Sequence, residues 1–381
     1  MISGSVIIVI IKEVLTRTDL KAFVKFPNTL YKNSPYHVTS LISDEIENFD
    51  RKKNPAFEFC DAAFWVALEE DHVIGRIAAI INHKAIEKFS EKRGRFGYVD
   101  FIDDEGVSAA LFKVAEDWLK ERGITKIQGP LGFSDLDEEG MLTEGFDEMG
   151  TLTTIYNYAY YPEHLKKLGY QEDVRWFEYT GNLPKPGNVR MTALAENIKK
   201  RYGLKIIQLK KRKDVLAYAH SIFELINASY DHLYNITPLS EKQMQFYTRK
   251  YLSFIKLDFV KLIVDREDKL IAFAISFPSL ALAMRKANGH ILPFGIFHIL
   301  KAFRKNDRVE LLLIAVDPKY SRKGIPSILF EELISAYDAH GITQADFNPQ
   351  LEDNRSVRNL WHRFDLRQNK KRACFIKDLS S

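Results

Sequence analysis

Residues 316–329 read Val316-Asp317-Pro318-Lys319-Tyr320-Ser321-Arg322-Lys323-Gly324-Ile325-Pro326-Ser327-Ile328-Leu329. They follow a strongly apolar run, Val309 to Val316, and lead into an amphipathic stretch, Ile328 to His340, that stops at Gly341. The pattern predicts a strand that ends in a basic, glycine-containing loop and opens a helix. Such a junction suits an anionic ligand, because successive main-chain N–H groups and the positive end of the helix dipole converge where glycine lets a phosphate approach. Pro326 suits the first helical position but brings no N–H. Arg322 and Lys323, with Lys319 nearby, can offset that loss by direct contacts to phosphate oxygens. The alternative reading is an ordinary strand-loop-helix with a basic loop facing water.

Outward from this loop the same order of elements occurs twice. In the first half a strand is predicted at Ser5 to Glu13, with helical segments over Asp19 to Asp50 broken at Pro27 and Pro35. Strands Ala62 to Glu69 and Val73 to Asn82 meet at the turn Glu70-Asp71-His72, followed by a strand at Gly97 to Ile102. A helix over Glu105 to Arg122, a strand at Lys126 to Gln128, a helix at Glu163 to Leu168 and a strand at Trp176 to Tyr179 complete it. In the second half Lys205 to Leu209 is a strand, and Asp214 to Tyr230 and Glu241 to Ile255 are amphipathic helices. Phe259 to Val264 and Leu270 to Phe277 form a hairpin, and beyond the loop come a strand at Thr343 to Phe347, a helix at Arg355 to Phe364 and a strand at Ala373 to Lys377. The run TGNLPKPGN, Thr180 to Asn188, holds two prolines and two glycines and marks the boundary, giving domains 1–182 and 189–381.

This order, with the loop at 316–329, resembles the GNAT (Gcn5-related N-acetyltransferase) superfamily. The resemblance implies an α/β (α+β) chain of two tandem GNAT folds, each a mixed, mainly antiparallel sheet flanked by helices. In that family a V-x-P corner precedes a loop of the form R/Q-x-x-G-x-G/A that holds coenzyme A. Here Ser321 stands where Arg or Gln is usual, Gly324 matches the first glycine, and Pro326 replaces the second small residue. The resemblance implies acetyl-CoA or a longer acyl-CoA as co-substrate, held by Val316, Ser321, Arg322, Lys323, Gly324, Ile325 and Ser327, with no metal. Lys53-Asn54-Pro55, Gly75-Arg76-Ile77-Ala78 and the tract from Gly129 to Tyr161 resemble a group of bacterial tandem GNAT proteins of this length.

Such an enzyme needs no covalent intermediate: it holds an amine against the thioester and removes a proton through a carboxylate or an ordered water. Glu310, which interrupts an apolar strand, is the first base candidate, and Asp346 and Glu352 come next. The other reading of Glu310 is a residue starting the strand at the solvent edge. Asn354 either orients the pantetheine or caps the next helix. In the first half the segment after the fourth strand, Phe101-Ile102-Asp103-Asp104-Glu105, is acidic and would repel a pyrophosphate, so that copy is expected not to bind CoA. Its carboxylate-, glycine- and tyrosine-rich tract is expected to border an acceptor pocket through Asp137, Glu138 and Tyr156, in a cleft between the copies.

The chain has 381 residues, 46% hydrophobic and 28% charged, long enough for two cores at roughly 100 to 200 residues each. Its net charge of +4 permits an anionic ligand without calling for nucleic acid. Two cysteines with no metal-ligand spacing fit a reducing cytoplasm. Val6 to Ile11 is too short to span a bilayer and reads as a buried strand. Residues 279–307 mix Leu280, Leu282, Phe294, Phe297 and Leu300 with Arg285, Lys301 and Arg304, a pattern of peripheral membrane contact or of a buried interdomain helix. The leading expectation is an acyl-CoA-dependent N-acyltransferase with a lipid-like amine acceptor or a long-chain donor. Its rivals are an aminoacyl-tRNA-dependent transferase and a non-catalytic ligand-binding protein.

Overall fold

The computed structural model describes residues 8–252, 254–354 and 365–380. The chain forms two compact units: residues 1–176, 284–296 and 370–381 make the first, and 177–283 with 297–369 make the second. The predicted boundary at 182–189 thus lies six residues beyond the observed one, and the last twelve residues fold with the first unit.

The first unit runs β1 (Ile10–Glu13), α1 (Arg17–Leu30), α2 (Ile42–Asn48), β2 (Cys60–Glu69), β3 (His72–Asn82), α3 (His83–Phe89), β4 (Arg93–Phe101), α4 (Glu105–Lys120), β5 (Lys126–Gly129), β6 (Met141–Glu144) and α5 (Tyr160–Lys167). Strand β7 (Gln171–Asn182) leads into the second unit. Next come α6 (Val189–Tyr202), β8 (Lys205–Ile206), α7 (Arg212–Tyr230), α8 (Glu241–Leu252), β9 (Val260–Val264), β10 (Leu270–Pro278), α9 (Ala281–Ala287), α10 (Gly295–Arg304), β11 (Arg308–Val316), α11 (Ile325–Ala339), β12 (Gln344–Leu351) and β13 (Asp365–Asp378).

In the first unit β1 to β4 pair antiparallel in sequence order, β5 joins β4 in parallel, and the end of β13 pairs antiparallel with β5 and β6. The two-residue period of a strand sorts its side chains onto two faces. On β2, Ala63, Trp65 and Ala67 pack towards Leu111, Phe112 and Leu119 of α4, while Ala62, Phe64 and Val66 pack with Phe23 of α1 and Phe49. In the second unit β8, β9, β10 and β11 pair antiparallel, β12 lies parallel to β11, and α6 and α11 cover one face.

Several expectations need correction. Helix α1 continues through Pro27. Proline cannot donate to the carbonyl four residues back, and that freed oxygen, on Phe23, accepts from Nη1 of Arg76 at 3.1 Å. The same guanidinium donates through Nε to Asp100 at 2.7 Å, and Asp100 also accepts from the Tyr31 hydroxyl at 2.7 Å. Burial pushes the Asp100 carboxyl up, against the opposing pull of Arg76 and Tyr31. The stretch expected to be a buried strand is an edge strand beginning at Ile10, with Ile8 77% and Ile10 57% exposed. Helix α6, not anticipated, is bounded by the side chain of Asn188 and a left-handed Gly203. Strand β12 continues through Asn348-Pro349-Gln350, beyond the predicted strand end at Phe347. The helix expected at 355–364 lies outside the described residues.

Arg76 therefore joins a buried ion pair to a proline-freed helix carbonyl. Arg76→Met is expected to lower unfolding free energy by roughly 3–5 kcal/mol, because Asp100 keeps its desolvation without its partner. Lys113→Ala, at an exposed i,i+4 pair that solvent screens, is expected to leave it nearly unchanged. Urea unfolding measures both, and equal losses would refute the assignment.

Candidate functional site

Strands β11 and β12 are paired from Arg308/Gln344 to Leu311/Phe347, and the ladder stops there although β11 runs on to Val316 and β12 to Leu351. At the same point the register of β11 with β10 shifts, so that Leu312 is an extra residue opposite the step from Ile275 to Ser276. A bulge flips the facing of every later side chain and bends the strand. Accordingly Val309 and Leu311 face the α6/α11 core before it, and Ile314 and Val316 face that core after it. The two parallel strands part into a groove whose wall residues Leu311 to Ile314 are only partly buried.

The loop beyond Val316 is shaped by two left-handed residues, Arg322 at φ 60° and Gly324 at φ 77°. Its turn bonds use the N–H groups of Lys319, Tyr320, Ser321 and Lys323, and that of Ser327 returns to the Gly324 carbonyl. Helix α11 begins at Ile325, so Pro326 occupies the second helical position, not the first. Outside those turn bonds stand the N–H groups of Arg322, Gly324 and Ile325, at the positive end of a fifteen-residue helix. Ser321, Arg322 and Lys319 are exposed, whereas the Lys323 ammonium lies 4.6 Å from the Tyr320 ring centre and 5.2 Å from that of Tyr202. Arg322 and Lys319 thus face solvent beside the helix start, while Lys323 is held against aromatic faces.

The predicted carboxylates are distributed unevenly. Glu310 and Asp346 are register partners on adjacent strands and share the sheet face away from the α6/α11 core. Glu310 is fully buried and accepts from Ser279 Oγ at 2.6 Å, so it does not start the strand at a solvent edge. Asp346 accepts from Arg308 Nη1 and Thr180 Oγ1, both at 2.6 Å, and is committed to an ion pair. Glu352 is half-buried in the turn after β12, and Asn354 closes that turn with its N–H on the Leu351 carbonyl. The sequence reading missed three groups in the groove. Asn348 Nδ2, Tyr230 Oη and Ser229 Oγ donate to the carbonyls of Leu312, Ile314 and Val316 at 3.3, 2.8 and 3.1 Å. Burial pushes the Tyr230 hydroxyl up to about 12. Only a strand that has left its neighbour needs such donors, and no local sequence signal places them there.

The first unit repeats the parting with a different outcome. The β4/β5 ladder ends at Arg95/Gln128, and β4 shifts register against β3 around Tyr98, whose φ is 46°. Phe96 faces the α4 core before this shift and Val99 and Phe101 after it, the same spacing as Leu311, Ile314 and Val316. The connection to the next helix is short: three residues, Ile102–Asp104, against eight, Asp317–Gly324, in the second unit. Asp104 caps α4 itself, accepting from Val107 N at 3.0 Å. A carboxylate therefore occupies the place an anion would take.

Where β4 and β5 part lies a cavity of about 70 Å³, partly open to solvent. Glu138 and Tyr156 line it together with Tyr98, Arg76, Asp100 and His37. Asp137 is not among its lining residues: Oδ2 accepts from the N–H groups of Phe133 and Ser134 at 2.9 and 3.1 Å and shapes the loop instead. A second constellation, Ser108, His164 and Asp103, has nucleophile, base and carboxylate spacings of 2.8 and 3.0 Å. Ser108 is 1% exposed and its hydroxyl also reaches the Glu105 carbonyl, so the trio ties α4 to α5 and offers no nucleophile to a substrate.

Residues 219–365 match the family model described as Acetyltransferase (GNAT) family. This part of the chain is similar to that family over its sequence. The whole chain has a tandem GNAT fold, being similar to the tandem GNAT protein from the clavulanic acid biosynthesis pathway over 98% of this chain and 99% of that one, at a TM-score of 0.58 and 8% identity. It is also similar to a GCN5-related N-acetyltransferase from Sphaerobacter thermophilus, at a TM-score of 0.54 and 8% identity over 97% and 96% of the two chains. By sequence it is 27% identical to Protein YghO of Escherichia coli (strain K12) over 380 residues, covering 97% of this chain and 95% of that protein. It is 25% identical over 364 residues to the bacterial ceramide synthase of Caulobacter vibrioides (strain NA1000 / CB15N), covering 91% of each.

The cavity of the first unit carries a pH signature. Burial, followed by the charges of Arg76 and Arg285, pushes the His37 imidazole down to about 4 from 6.5. Between those values the unfolded chain takes up a proton that the folded chain refuses, so stability falls as pH drops from about 6.5 to about 4. His37→Gln is expected to lose less melting temperature than the parent between pH 7 and pH 4.5. An equal drop in both would show that His37 does not contribute to that dependence.

Proposed function

We propose that the second unit transfers an acyl group from an acyl-CoA to an amine. The observation that carries this reading is the parting of β11 from β12 beside a helix start whose loop holds Gly324 at φ 77°. The groove and loop fit the co-substrate: the N–H groups of Arg322, Gly324 and Ile325 would hold its diphosphate, with Arg322 and Lys319 adding charge. Bound there, the thioester would supply an activated acyl group: the amine nitrogen would form the amide bond as the C–S bond breaks, and coenzyme A would leave as its thiol. The chain's own part is to hold both reactants and to take the proton the amine releases. Glu352, half-buried at the open end of β12, is better placed for that than Asp346, which is bound to Arg308. Glu310 would act through Ser279, which it holds.

Calorimetric titration with acetyl-, octanoyl- and palmitoyl-CoA tests the reading. Gly324→Asp is expected to weaken binding several-fold or more. An L-residue in the left-handed region costs roughly 1–2 kcal/mol, and the new carboxylate would stand against the diphosphate. Undiminished affinity in a folded Gly324→Asp protein would overturn the site. Failure of all three thioesters to bind the parent would favour a non-catalytic protein.

A lipid-like acceptor or long-chain donor is the finer form of this proposal. The relative called a ceramide synthase supports it by its name, since a ceramide is a fatty amide of a long-chain amino alcohol. Helix α10 supports it independently. Phe297 is 65% and Leu300 47% exposed, with Lys301 and Arg304 exposed on the same face and Ile299 buried opposite. Apolar residues flanked by cations suit an anionic lipid surface, where each cation contributes roughly 1 kcal/mol. No helix among the described residues is long and apolar enough to cross a membrane. The double variant Lys301→Glu/Arg304→Glu is expected to lose co-sedimentation with vesicles containing phosphatidylserine at low salt. Retention equal to the parent's would remove α10 as the contact.

A further inference from the structure

We infer that the cavity of the first unit is a second ligand site, one that takes a short uncharged amide: it offers two donors to a carbonyl oxygen and an imidazole to the amide N–H. It lies where β4 and β5 part, with Tyr98 and Val99 past the end of the ladder on one side and Pro130 on the other. The helix start beside it is already satisfied, since the connection is three residues long and Asp104 caps α4. The space is about 70 Å³, room for roughly five to seven water-sized groups at about 10–15 Å³ each.

Three side chains on its wall, Arg76, Tyr98 and His37, have hydrogen-bonding capacity that no described residue uses. Arg76, 8% exposed, donates through Nε to Asp100 and through Nη1 to the Phe23 carbonyl, while its Nη2 has no partner among the described residues. The Tyr98 oxygen accepts from Asn48 Nδ2 at 3.0 Å, which leaves the hydroxyl proton to be donated. Neither ring nitrogen of His37 is bonded to a described residue, although the ring centre lies 4.7 Å from that of Tyr31 and 6.1 Å from that of Tyr156. Burial, followed by Arg76 and Arg285, holds this imidazole down at about 4, so near neutral pH it presents one N–H and one lone pair. Other polar groups of the wall are spent within the chain: Tyr31 on Asp100 and Tyr161, and Asn157 on Leu142 and the Tyr158 carbonyl.

Such a wall selects by hydrogen bonding and not by charge. Arg76 is paired with Asp100 at 2.7 Å, and a carboxylate ligand would compete with Asp100 for the same guanidinium. An ammonium ligand would meet Arg76 on the wall and the charge of Arg285 beside His37. Glu45 and Glu138, also on the wall, already interact within the chain. A neutral amide avoids both conflicts: its oxygen takes the Arg76 N–H and the Tyr98 O–H, and its own N–H goes to the His37 lone pair. Val24, Val38, Val99 and Met141 supply apolar wall for a short aliphatic chain.

This site is separate from the acyl-transfer reading and stands or falls by binding alone. Ligand-observed NMR titration of the full chain with butanamide tests it, against two probes of the same shape: pentan-2-one, which lacks the N–H, and butanoate, which is charged. Butanamide is expected to bind about fivefold more tightly than either, the worth of one hydrogen bond. Tyr98→Phe is expected to weaken butanamide and pentan-2-one alike, by about fivefold, whereas His37→Leu weakens butanamide by about as much and leaves pentan-2-one unchanged. Gly324→Asp is expected to leave butanamide binding intact. If Tyr98→Phe fails to fold by circular dichroism, His37→Leu carries the comparison. Equal binding of butanamide and pentan-2-one would reduce the cavity to an apolar slot, tighter binding of butanoate would make it an anion site, and no binding of any probe would leave it to water; each overturns the inference. Loss of butanamide binding in Gly324→Asp, with retention in Tyr98→Phe and His37→Leu, would place the ligand in the second unit and overturn it too.

Discussion

A single extra residue in one strand governs both halves of this molecule. A strand in register with two neighbours cannot leave one of them without orphaning its main-chain groups and without changing which side chains meet the core. The bulges at Tyr98 and Leu312 solve both parts of that problem. Each reverses the facing of the strand's last residues, so that Val99 and Phe101, or Ile314 and Val316, return to the helix-side core after the parallel partner has gone. The strand end then survives on its antiparallel neighbour and its hydrophobic face alone. Its free carbonyls take side-chain donors, as those of Leu312, Ile314 and Val316 do. A gap between two parallel strands is stable here because both the facing of the strand end and its carbonyls are provided for.

Two gaps of the same construction acquire different chemistry from the connection that leads out of each. Eight residues containing Gly324 give the second unit room for a turn that presents N–H groups and cations at a helix start. Three residues ending in Asp104 give the first unit a self-capped helix. The difference is one of charge at a dipole end, where a fixed carboxylate and a bound phosphate compete for the same N–H groups. In this chain Asp104 satisfies one helix start from within, while at the other the turn bonds of the loop do not use the N–H groups of Arg322, Gly324 and Ile325.

Element order was legible from the chain alone because hydrophobic period and turn residues act locally. The hairpins at 60–82 and 260–278, the helix after each parting strand, and the glycine at 324 all announce themselves within a few residues. Illegible were the features set by distant partners. Pro27 reads as a helix breaker until Arg76, forty-nine positions later, supplies the donor its ring removes. Asp137 looks like a pocket carboxylate until it is seen capping a loop four residues behind it. Asp346 looks like a base until Arg308 and Thr180 are found on it. In each case the residue type was read correctly and its commitment was not, because an ion pair or a cap is a property of two positions.

The placement of the last twelve residues shows why such commitments escape a linear reading. Their strand pairs with β5 and β6 of the first unit, and Arg372 within it reaches the carbonyls of Gly140 and Ile155. Phe375 and Cys374 are wholly buried there. The first unit's sheet is therefore completed only by the end of the chain, and the tract from 129 to 161 that walls its cavity is clamped by a strand more than two hundred positions away. A cavity assembled from such distant pieces has its floor and walls fixed by packing.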